Sequence, residues 1–273
     1  MYSREIHIEK CGLAGSPRSH KKVNKVSQSR EPTQIRSPTL ARYALPPEGL
    51  RSKRVDTNAI FETLRYRIST LQYPPGSALK EIQLSEEFSV SRTPIRQALQ
   101  RLELVGLVQP VVGHGTIVTG IDLASMRHLL QYRLNLAKIL DQFLEMSDPS
   151  EGLALLRQSL EANTKLASKF DSQRFAEISH DVRWTVWKHI SNPFMAQSWI
   201  DTYYLASRVW FICLPYEQNR FLDLQAQEID LLIQAFERSD PKAVAAVVHD
   251  TLRSWITEIW RSISEGRSPI DMT

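Results

Sequence analysis

The sequence predicts a mainly α-helical protein with two folded domains behind a basic segment. Its 273 residues are 42% hydrophobic and 23% charged, which suffices for about two domains of the usual ~100–200 residues. With 10 Gly and 14 Pro, the composition argues against collagen-like, low-complexity and strand-and-turn-rich folds. From Asp56 onward, apolar residues recur at helical spacing, interrupted by one short segment rich in β-branched residues.

Positive charge is concentrated at the N-terminus. Residues 1–55 hold 12 Lys and Arg against 4 Asp and Glu, whereas the other 218 residues hold 22 against 26. This charge, low hydrophobic content and two Ser-Pro steps predict a disordered basic tail over residues 1–55. Two interpretations remain open for the tail. It is either an extension without a function or an arm that strengthens nonspecific binding to nucleic-acid phosphates.

Three short helices are predicted after the tail. Apolar residues at steps of three and four mark the first helix, namely Ile60, Leu64, Ile68 and Leu71. A second helix is predicted over residues 81–88, and a three-residue connector leads to a third over residues 93–104. Thr93 is the expected N-cap of the third helix, and Pro94 its first helical residue. A short helix, a tight turn and a second helix are what a helix-turn-helix requires.

A hairpin is predicted next. Residues 107–112 and 116–119 are rich in β-branched residues and flank Gly113-His114-Gly115, so they predict two strands with a glycine-permitted tip. Together with the three helices, this hairpin predicts a winged helix-turn-helix over residues 56–120.

Only helical patterns follow Gly120 in the sequence. Six helices are predicted, at about residues 122–146, 151–168, 172–190, 194–214, 221–238 and 240–264. The breaks fall at turn sequences such as Asp148-Pro149-Ser150 and Ser191-Asn192-Pro193. The sequence therefore predicts an all-helical bundle over residues 121–265, followed by a C-terminal tail over residues 266–273.

Two arginines mark the third helix as a candidate recognition helix. Arg92 and Arg96 are four residues apart, hence on one face near its start. Arginine forms bidentate hydrogen bonds with guanine O6 and N7, each pair giving about 1–3 kcal/mol of discrimination. The candidate DNA contacts are Ser91, Arg92, Thr93, Arg96, His114 and Gly115. The alternative is a solvated arginine face on an ordinary helix.

A resemblance to the DNA-binding domain of GntR-family bacterial transcription regulators is carried by PPGSALKEIQLSEEFSVSRTPIRQALQRLELVGLVQPVVGHGTIVTG. The most specific parts are SRTPIRQAL and the Gly-His-Gly tip. The resemblance implies base and phosphate contacts for Arg92, Thr93, Arg96, His114 and Gly115. One position departs from the pattern, since Ile82 stands where relatives often carry a DNA-contacting arginine.

The predicted bundle resembles the FCD ligand-sensing domain of the FadR subfamily of these regulators. The resemblance is best in FAEISHDVRWTVWKHISNPF and QEIDLLIQAFERSDPKAVAAVVHDTL. Many members of that subfamily bind a metal through Asp and His side chains at four positions, which are Ser179, Arg183, Ile229 and Thr251 here. The alkyl side chain of Ile229 cannot coordinate a metal cation, and Arg183 would place a permanent positive charge at the metal position. We therefore expect the metal site to be lost and no cofactor to be bound.

Arg183 suggests a different ligand. A guanidinium in a bundle interior is costly unless paired, and its fork of donors suits a carboxylate or phosphate. The candidate effector-binding residues are Arg133, Ser179, Arg183, Tyr204, Arg208 and Thr251. The alternative for Arg183 is an internal salt bridge to Asp181, Glu228 or another acidic residue.

The expected function is that of a transcriptional regulator, most simply a repressor. It would act as a homodimer on a short palindromic operator, with its affinity for DNA controlled by a small organic acid in the bundle. A second hypothesis keeps the regulator but makes the bundle a dimerisation module without an effector. A third makes the bundle an enzyme tethered to DNA, although the sequence has no GxSxG motif, phosphate loop or metal-ligand spacing.

The remaining sequence features favour a cytoplasmic protein. No run approaches the ~18 apolar residues of a membrane span, and the N-terminus lacks the apolar segment of a signal peptide. The two cysteines, Cys11 and Cys213, do not form a CxxC pair, and we expect no disulfide.

Overall fold

The computed structural model describes residues 56–267. The predicted basic tail, residues 1–55, lies outside the described residues, as do residues 268–273 of the predicted C-terminal tail.

The first described elements are three helices and a small sheet. The helices are α1 (Thr57–Ser69), α2 (Glu81–Glu87) and α3 (Arg92–Leu104). The strands are β1 (Ala78–Leu79), β2 (Val108–Val111) and β3 (Gly115–Val118), in the order β1-β3-β2 with antiparallel pairing. The predicted hairpin is therefore present, with β1 added on the free edge of β3. The sequence pattern missed β1 because two residues are too few to show strand alternation.

Six long helices form the rest of the described chain. They are α4 (Leu123–Lys138), α5 (Ser150–Leu166), α6 (Ser172–Lys188), α7 (Pro193–Cys213), α8 (Gln218–Glu237) and α9 (Pro241–Ser264). Short side chains fix several of their starts, because the carboxylates of Asp122, Asp171 and Asp240 and the amide of Asn192 accept first-turn N–H groups.

The first bundle helix is shorter than its apolar pattern predicts. α4 ends at Lys138, and a 3₁₀ turn over Leu140–Phe143 follows it. The next residues pair with the connection between α6 and α7, where Glu145 N–H donates to the His189 carbonyl at 2.8 Å. These tertiary hydrogen bonds replace the ones that a longer helix would make, so the chain turns away although its side chains remain apolar.

Two large cores and a small cluster of Ile200, Tyr203 and Tyr204 hold the described residues together. One core joins apolar side chains of α1, α2, α3 and the sheet, and the other joins those of α4 to α9. Helix α7 belongs to both, since its Leu205 packs on the first core and its Trp199 lies within the second. Helix α1 packs directly on α7. Helix α7 is therefore the main helix that connects the winged part to the bundle, and Tyr66 of α1 also contacts His180 of α6.

Candidate DNA-binding surface and effector site

The turn between α2 and α3 sets the start of the candidate recognition helix. Ser89 adopts a left-handed conformation, with φ of 52°, and Ser91 is extended and occupies the N-cap position. The prediction that Thr93 is the N-cap is wrong by two residues. Thr93 and Pro94 lie inside the first turn, where a proline is tolerated because the backbone N–H groups have no helical partner.

Helix α3 separates an apolar face from an exposed face. Its inner residues are Ile95, Ala98, Leu99 and Leu102, all buried in the first core. The first-turn residues Ser91, Arg92 and Thr93 are exposed, as is Arg96 one turn later. The structure thus brings the four predicted contacts of this helix together on one solvent-facing surface at its N-terminus, which is the end that enters a major groove in helix-turn-helix proteins.

Arg96 is held by an acidic residue of the preceding helix. Its Nε donates to Glu81 Oε1 at 3.0 Å, and its Nη2 donates to Oε2 at 2.9 Å. The hydrogen bond from Arg96 lowers the pKa of Glu81, and the charge of Arg92 acts in the same direction. No sequence signal points to Glu81, because a charged residue 15 positions from Arg96 shows no helical spacing.

The wing presents the other two predicted contacts. His114 and Gly115 are exposed at the tip between β2 and β3. Gly113 and Gly115 have φ of 77° and 79°, a conformation that favours glycine, and His114 N–H donates to the Val111 carbonyl at 2.9 Å. Ile82, at the position where an arginine contact is missing, is half exposed on α2.

In the bundle, Arg183 of α6 pairs with Glu228 of α8. Both guanidinium Nη atoms donate to the two carboxylate oxygens, so the internal salt bridge is the arrangement formed. Thr251 Oγ1 and Trp255 Nε1, both on α9, donate to the same carboxylate at 3.0 and 3.2 Å. Burial lowers the pKa of Arg183, but attraction to Glu228 outweighs it and leaves the pKa above its ordinary value.

Arg133 of α4 lies close to this pair and is only 1% exposed. Its Nη1 donates to the Trp199 carbonyl and to Thr202 Oγ1, both at 3.0 Å, while its Nε has no hydrogen-bond partner among the described residues. Burial and the like charge of Arg183 lower the pKa of Arg133 to about 9. Counting Glu228, this buried group carries a formal charge of +1.

Tyr203 of α7 stands beside the same charges. Its ring lies 5.9 Å from the Arg133 guanidinium, and burial raises the pKa of its hydroxyl to about 12 despite the nearby arginines. Ser179 reaches the group indirectly, because it accepts a hydrogen bond from Gln225 at 2.6 Å one turn before Glu228. Four of the predicted effector residues, Arg133, Ser179, Arg183 and Thr251, therefore lie in one region of the bundle.

The other two predicted effector residues, Tyr204 and Arg208, contact the winged part. Arg208 Nη1 donates to the carbonyl and hydroxyl oxygens of Thr119, at 2.9 and 3.0 Å. The Tyr204 ring covers the guanidinium of Arg65 in α1, 4.0 Å away, and its hydroxyl bonds to His180. The rings of Tyr203 and Tyr204 lie 5.2 Å apart in one small cluster, and from there Tyr204 covers Arg65 whereas Tyr203 lies beside Arg133.

Arg65 is the main charged contact between α1 and α7. It pairs with Glu62 of its own helix and with Asp201 of α7, the latter at 3.0 Å. Burial and the charge of Arg65 lower the pKa of His180 to about 3, so its imidazole is neutral at this contact. No sequence signal points to Arg65, since a lone arginine on an amphipathic helix is usually solvated.

The four positions that hold a metal in the resembled subfamily do not fit one here. Arg183 is paired with Glu228, Ile229 is fully buried in the apolar core, and Thr251 donates to the same carboxylate. Among residues 56–267, no group of three or more His, Cys, Asp or Glu side chains could hold a metal ion. None of the helices in this range combines the length and apolar character needed to cross a membrane.

Three helices, a three-stranded wing and an exposed arginine-bearing helix start define a winged helix-turn-helix fold. Residues 56–118 match the family model of bacterial regulatory proteins, gntR family. This part of the chain is therefore similar to the DNA-binding domain of GntR-family regulators, and the chain as a whole is similar to bacterial transcriptional regulators.

Individual relatives show the same similarity. An uncharacterized HTH-type transcriptional regulator in the TAR-I ttuE-ttuC' intergenic region of Agrobacterium vitis is 31% identical over 108 residues, which cover 38% of this chain and 63% of that protein. The uncharacterized HTH-type transcriptional regulator YieP of Escherichia coli strain K12 is 27% identical over 228 residues, 75% of this chain and 97% of that protein. The chain thus spans less than two thirds of the first relative and nearly all of the second.

The fold is shared with a solved structure. E. coli McbR/YncC superposes with a TM-score of 0.59 at 18% identity, covering 77% of this chain and all of that chain. The similarity includes the helical region as well as the winged part.

Proposed function

We propose that this protein is a sequence-specific repressor that acts as a homodimer and loses or gains operator affinity when its bundle binds a small carboxylate. The observation that carries the DNA-binding part is the exposed start of α3, where Arg92 and Arg96 project beside a wing tip. Two recognition helices related by a two-fold axis would read the half-sites of a short palindrome. Repression is the simpler outcome, because a dimer on a promoter blocks transcription without any further contact.

The DNA-binding proposal is tested on DNA selected by the protein itself. Wild-type protein is used to enrich a random duplex library, and the enriched site is measured by gel shift against a scrambled duplex. Arg92→Ala or Arg96→Ala should lower affinity for the enriched site about 5- to 100-fold, as expected for a lost bidentate contact. Arg157→Ala, an exposed arginine of α5, is the matched control. Enrichment of no site, or unchanged affinity in both variants, would refute the proposal.

For the effector site, support comes from the buried charge on Arg133. Glu228 compensates one of the two arginines, and its carboxylate oxygens already accept hydrogen bonds from Arg183, Thr251 and Trp255. A ligand carboxylate beside Arg133 would neutralise the remaining charge in a region where burial has lowered the pKa of that guanidinium. We propose that the carboxylate binds without a metal, since a metal cation would be repelled by the two arginines.

Coupling to DNA would pass through α7. Trp199, Thr202 and Tyr203 of this helix contact Arg133, whereas Asp201, Tyr204 and Arg208 contact the winged part. An effector that shifts or rotates α7 would therefore change the contacts of Arg65 and Thr119. Such an effector alters operator affinity only as far as it binds the two arrangements differently.

A panel of small mono- and dicarboxylates tests the effector site by thermal shift and by titration into the operator complex. At least one should raise the Tm of the wild-type protein and change operator affinity. Arg133→Met should fold, because an apolar side chain of similar size replaces an uncompensated buried charge, and should lose both responses. No response of the wild type across the panel would instead favour a bundle that serves only dimerisation.

A further inference from the structure

The contact between Glu81 and Arg96 uses one specific edge of the guanidinium. Both hydrogen bonds come from the edge formed by Nε and Nη2. A guanidinium has five N–H groups, so a second edge, formed by Nη1 and Nη2, still offers one hydrogen of each nitrogen. Within residues 56–267, no hydrogen bond occupies that second edge.

The second edge is a pair of parallel donors. Two parallel donors are what guanine O6 and N7 require from an arginine in the major groove. Arg96 is otherwise poorly restrained, because its side chain is 61% exposed and stands on the outer face of α3. A long exposed side chain loses rotamer entropy when it is fixed on a base, and a contact that holds it beforehand removes part of that loss.

We propose that Glu81 is a positioning residue for base reading: it holds Arg96 so that the Nη1–Nη2 edge faces guanine. This inference rests on the proposed function, since it assumes that α3 enters the major groove. Glu81 is the first residue of α2, where a negative charge is favourable because the helix N-terminus is positively polarised. Its side chain is about one-third exposed. It therefore lies beside the recognition helix rather than on it, and does not need to touch DNA.

A positioning role for Glu81 and a purely electrostatic effect of its charge predict different results when the carboxylate is removed. A carboxylate near phosphates weakens binding to all DNA, so its removal should strengthen specific and nonspecific binding equally. Removal of a positioning residue should instead lower the ratio of specific to nonspecific affinity. A carboxylate that blocks Arg96 would give a third result, because its removal would raise that ratio.

Two variants separate these roles. Glu81→Gln keeps the size of the side chain and removes its charge, whereas Glu81→Asp keeps the charge and shortens the reach by one methylene. Glu86→Gln is the matched control, because Glu86 is an exposed acid of the same helix. The measurement is the gel-shift affinity of each variant for the site enriched by wild-type protein and for a scrambled duplex, at one salt concentration.

We expect both Glu81 variants to lower the affinity ratio at least about 5-fold, the lower end of what a bidentate arginine–guanine contact contributes, while Glu86→Gln preserves it. Replacing the enriched guanines by 7-deazaguanine should weaken wild type more than either variant. In an Arg96→Ala background, Glu81→Gln should change the ratio no further, since the two residues act as one unit.

An unchanged or raised ratio in both variants would overturn the inference while leaving the proposed function intact. The inference would also be overturned if the Arg96→Ala variant bound the 7-deazaguanine site as much more weakly than the guanine site as wild type does. Failure of the wild type to enrich any site would instead refute the proposed function, so the two failures are distinguishable.

Discussion

Replacing Glu228 by glutamine removes the negative charge from the buried group that contains Arg133 and Arg183. The Glu228 side chain is 1% exposed and accepts four hydrogen bonds, two of them from Arg183. Glutamine has the same size but turns one acceptor into an N–H donor, which would face the donors of Arg183. The formal charge of the group would rise from +1 to +2 with little solvent to screen it, since Arg183 is only 13% exposed.

The expected loss of stability is large. Removing one partner of a buried ion pair costs about 3–5 kcal/mol, because the other charge stays buried and unpaired. For a domain of 150–250 residues, each kcal/mol corresponds to about 2–4 °C, so Tm should fall by about 6–20 °C in E228Q. Thermal unfolding followed by circular dichroism at pH 7 measures the change.

The same helix provides a matched control. Glu237 of α8 pairs with Arg157 at 2.7 Å, but the two side chains are 46% and 59% exposed. Glu237→Gln should therefore cost less than about 1 kcal/mol. The double variant R183M/E228Q should be more stable than E228Q alone, because it leaves no guanidinium without its partner at position 183. A loss below about 1 kcal/mol in E228Q, or a double variant less stable than E228Q, would refute this reasoning.

Three further outcomes are expected. A Cβ added at Gly152 would lie 2.8 Å from the Phe236 ring and 3.0 Å from Thr185. Gly152→Ala should therefore lower the free energy of unfolding, measured in urea, by about 1–2 kcal/mol, because the cost of overpacking exceeds the gain in helix propensity. Burial raises the pKa of the Asp181 carboxyl from 3.8 to about 7. The folded state therefore holds this proton more tightly than the unfolded chain, and the free energy of unfolding should fall as the pH rises from about 4 to about 7. Asp181→Asn should remove that fall and be more stable than wild type at pH 8, by at most about 4 kcal/mol. Elemental analysis of purified protein should find no stoichiometric zinc, manganese or nickel.

Each of these outcomes has a clear contrary result. Equal or greater stability of Gly152→Ala would mean that the Phe236 ring moves aside at no cost. An unchanged pH profile of Asp181→Asn would show that other groups produce the dependence. One metal equivalent per chain would restore a metal site to the bundle and remove the argument for direct binding of a carboxylate by Arg133.

Much of the fold could be predicted from local sequence. The apolar steps, the Asp and Asn caps and the Pro-containing turns place the starts and ends of most helices within a few residues, because these signals act through nearby backbone groups. The exposed face of α3 was equally predictable, since the alternation of buried and exposed residues along one helix follows from its period. Thr93 was misplaced as the N-cap because Ser91 has an equally suitable side chain two residues earlier.

The tertiary structure decided how charges pair. Arg183 could have bound a ligand or any of several acids, and only the approach of α8 to α6 selects Glu228. The same approach leaves Arg133, beside that pair, as a buried cation without an acid of its own, so the candidate effector contact moves from Arg183 to Arg133. The tertiary structure also decided which charge each tyrosine meets, because the contacting rings of Tyr203 and Tyr204 lie beside Arg133 and over Arg65, respectively.

By itself, the sequence determined the winged helix-turn-helix, the helical bundle and the surface that carries Arg92 and Arg96, because these depend on periodicity, capping and turn residues within one segment. The structure alone decided that Glu81 holds Arg96, that Glu228 satisfies Arg183 and that α7 serves both cores. Those contacts join residues 15 to 136 positions apart. Their energies depend on burial and mutual distance, which no local pattern encodes.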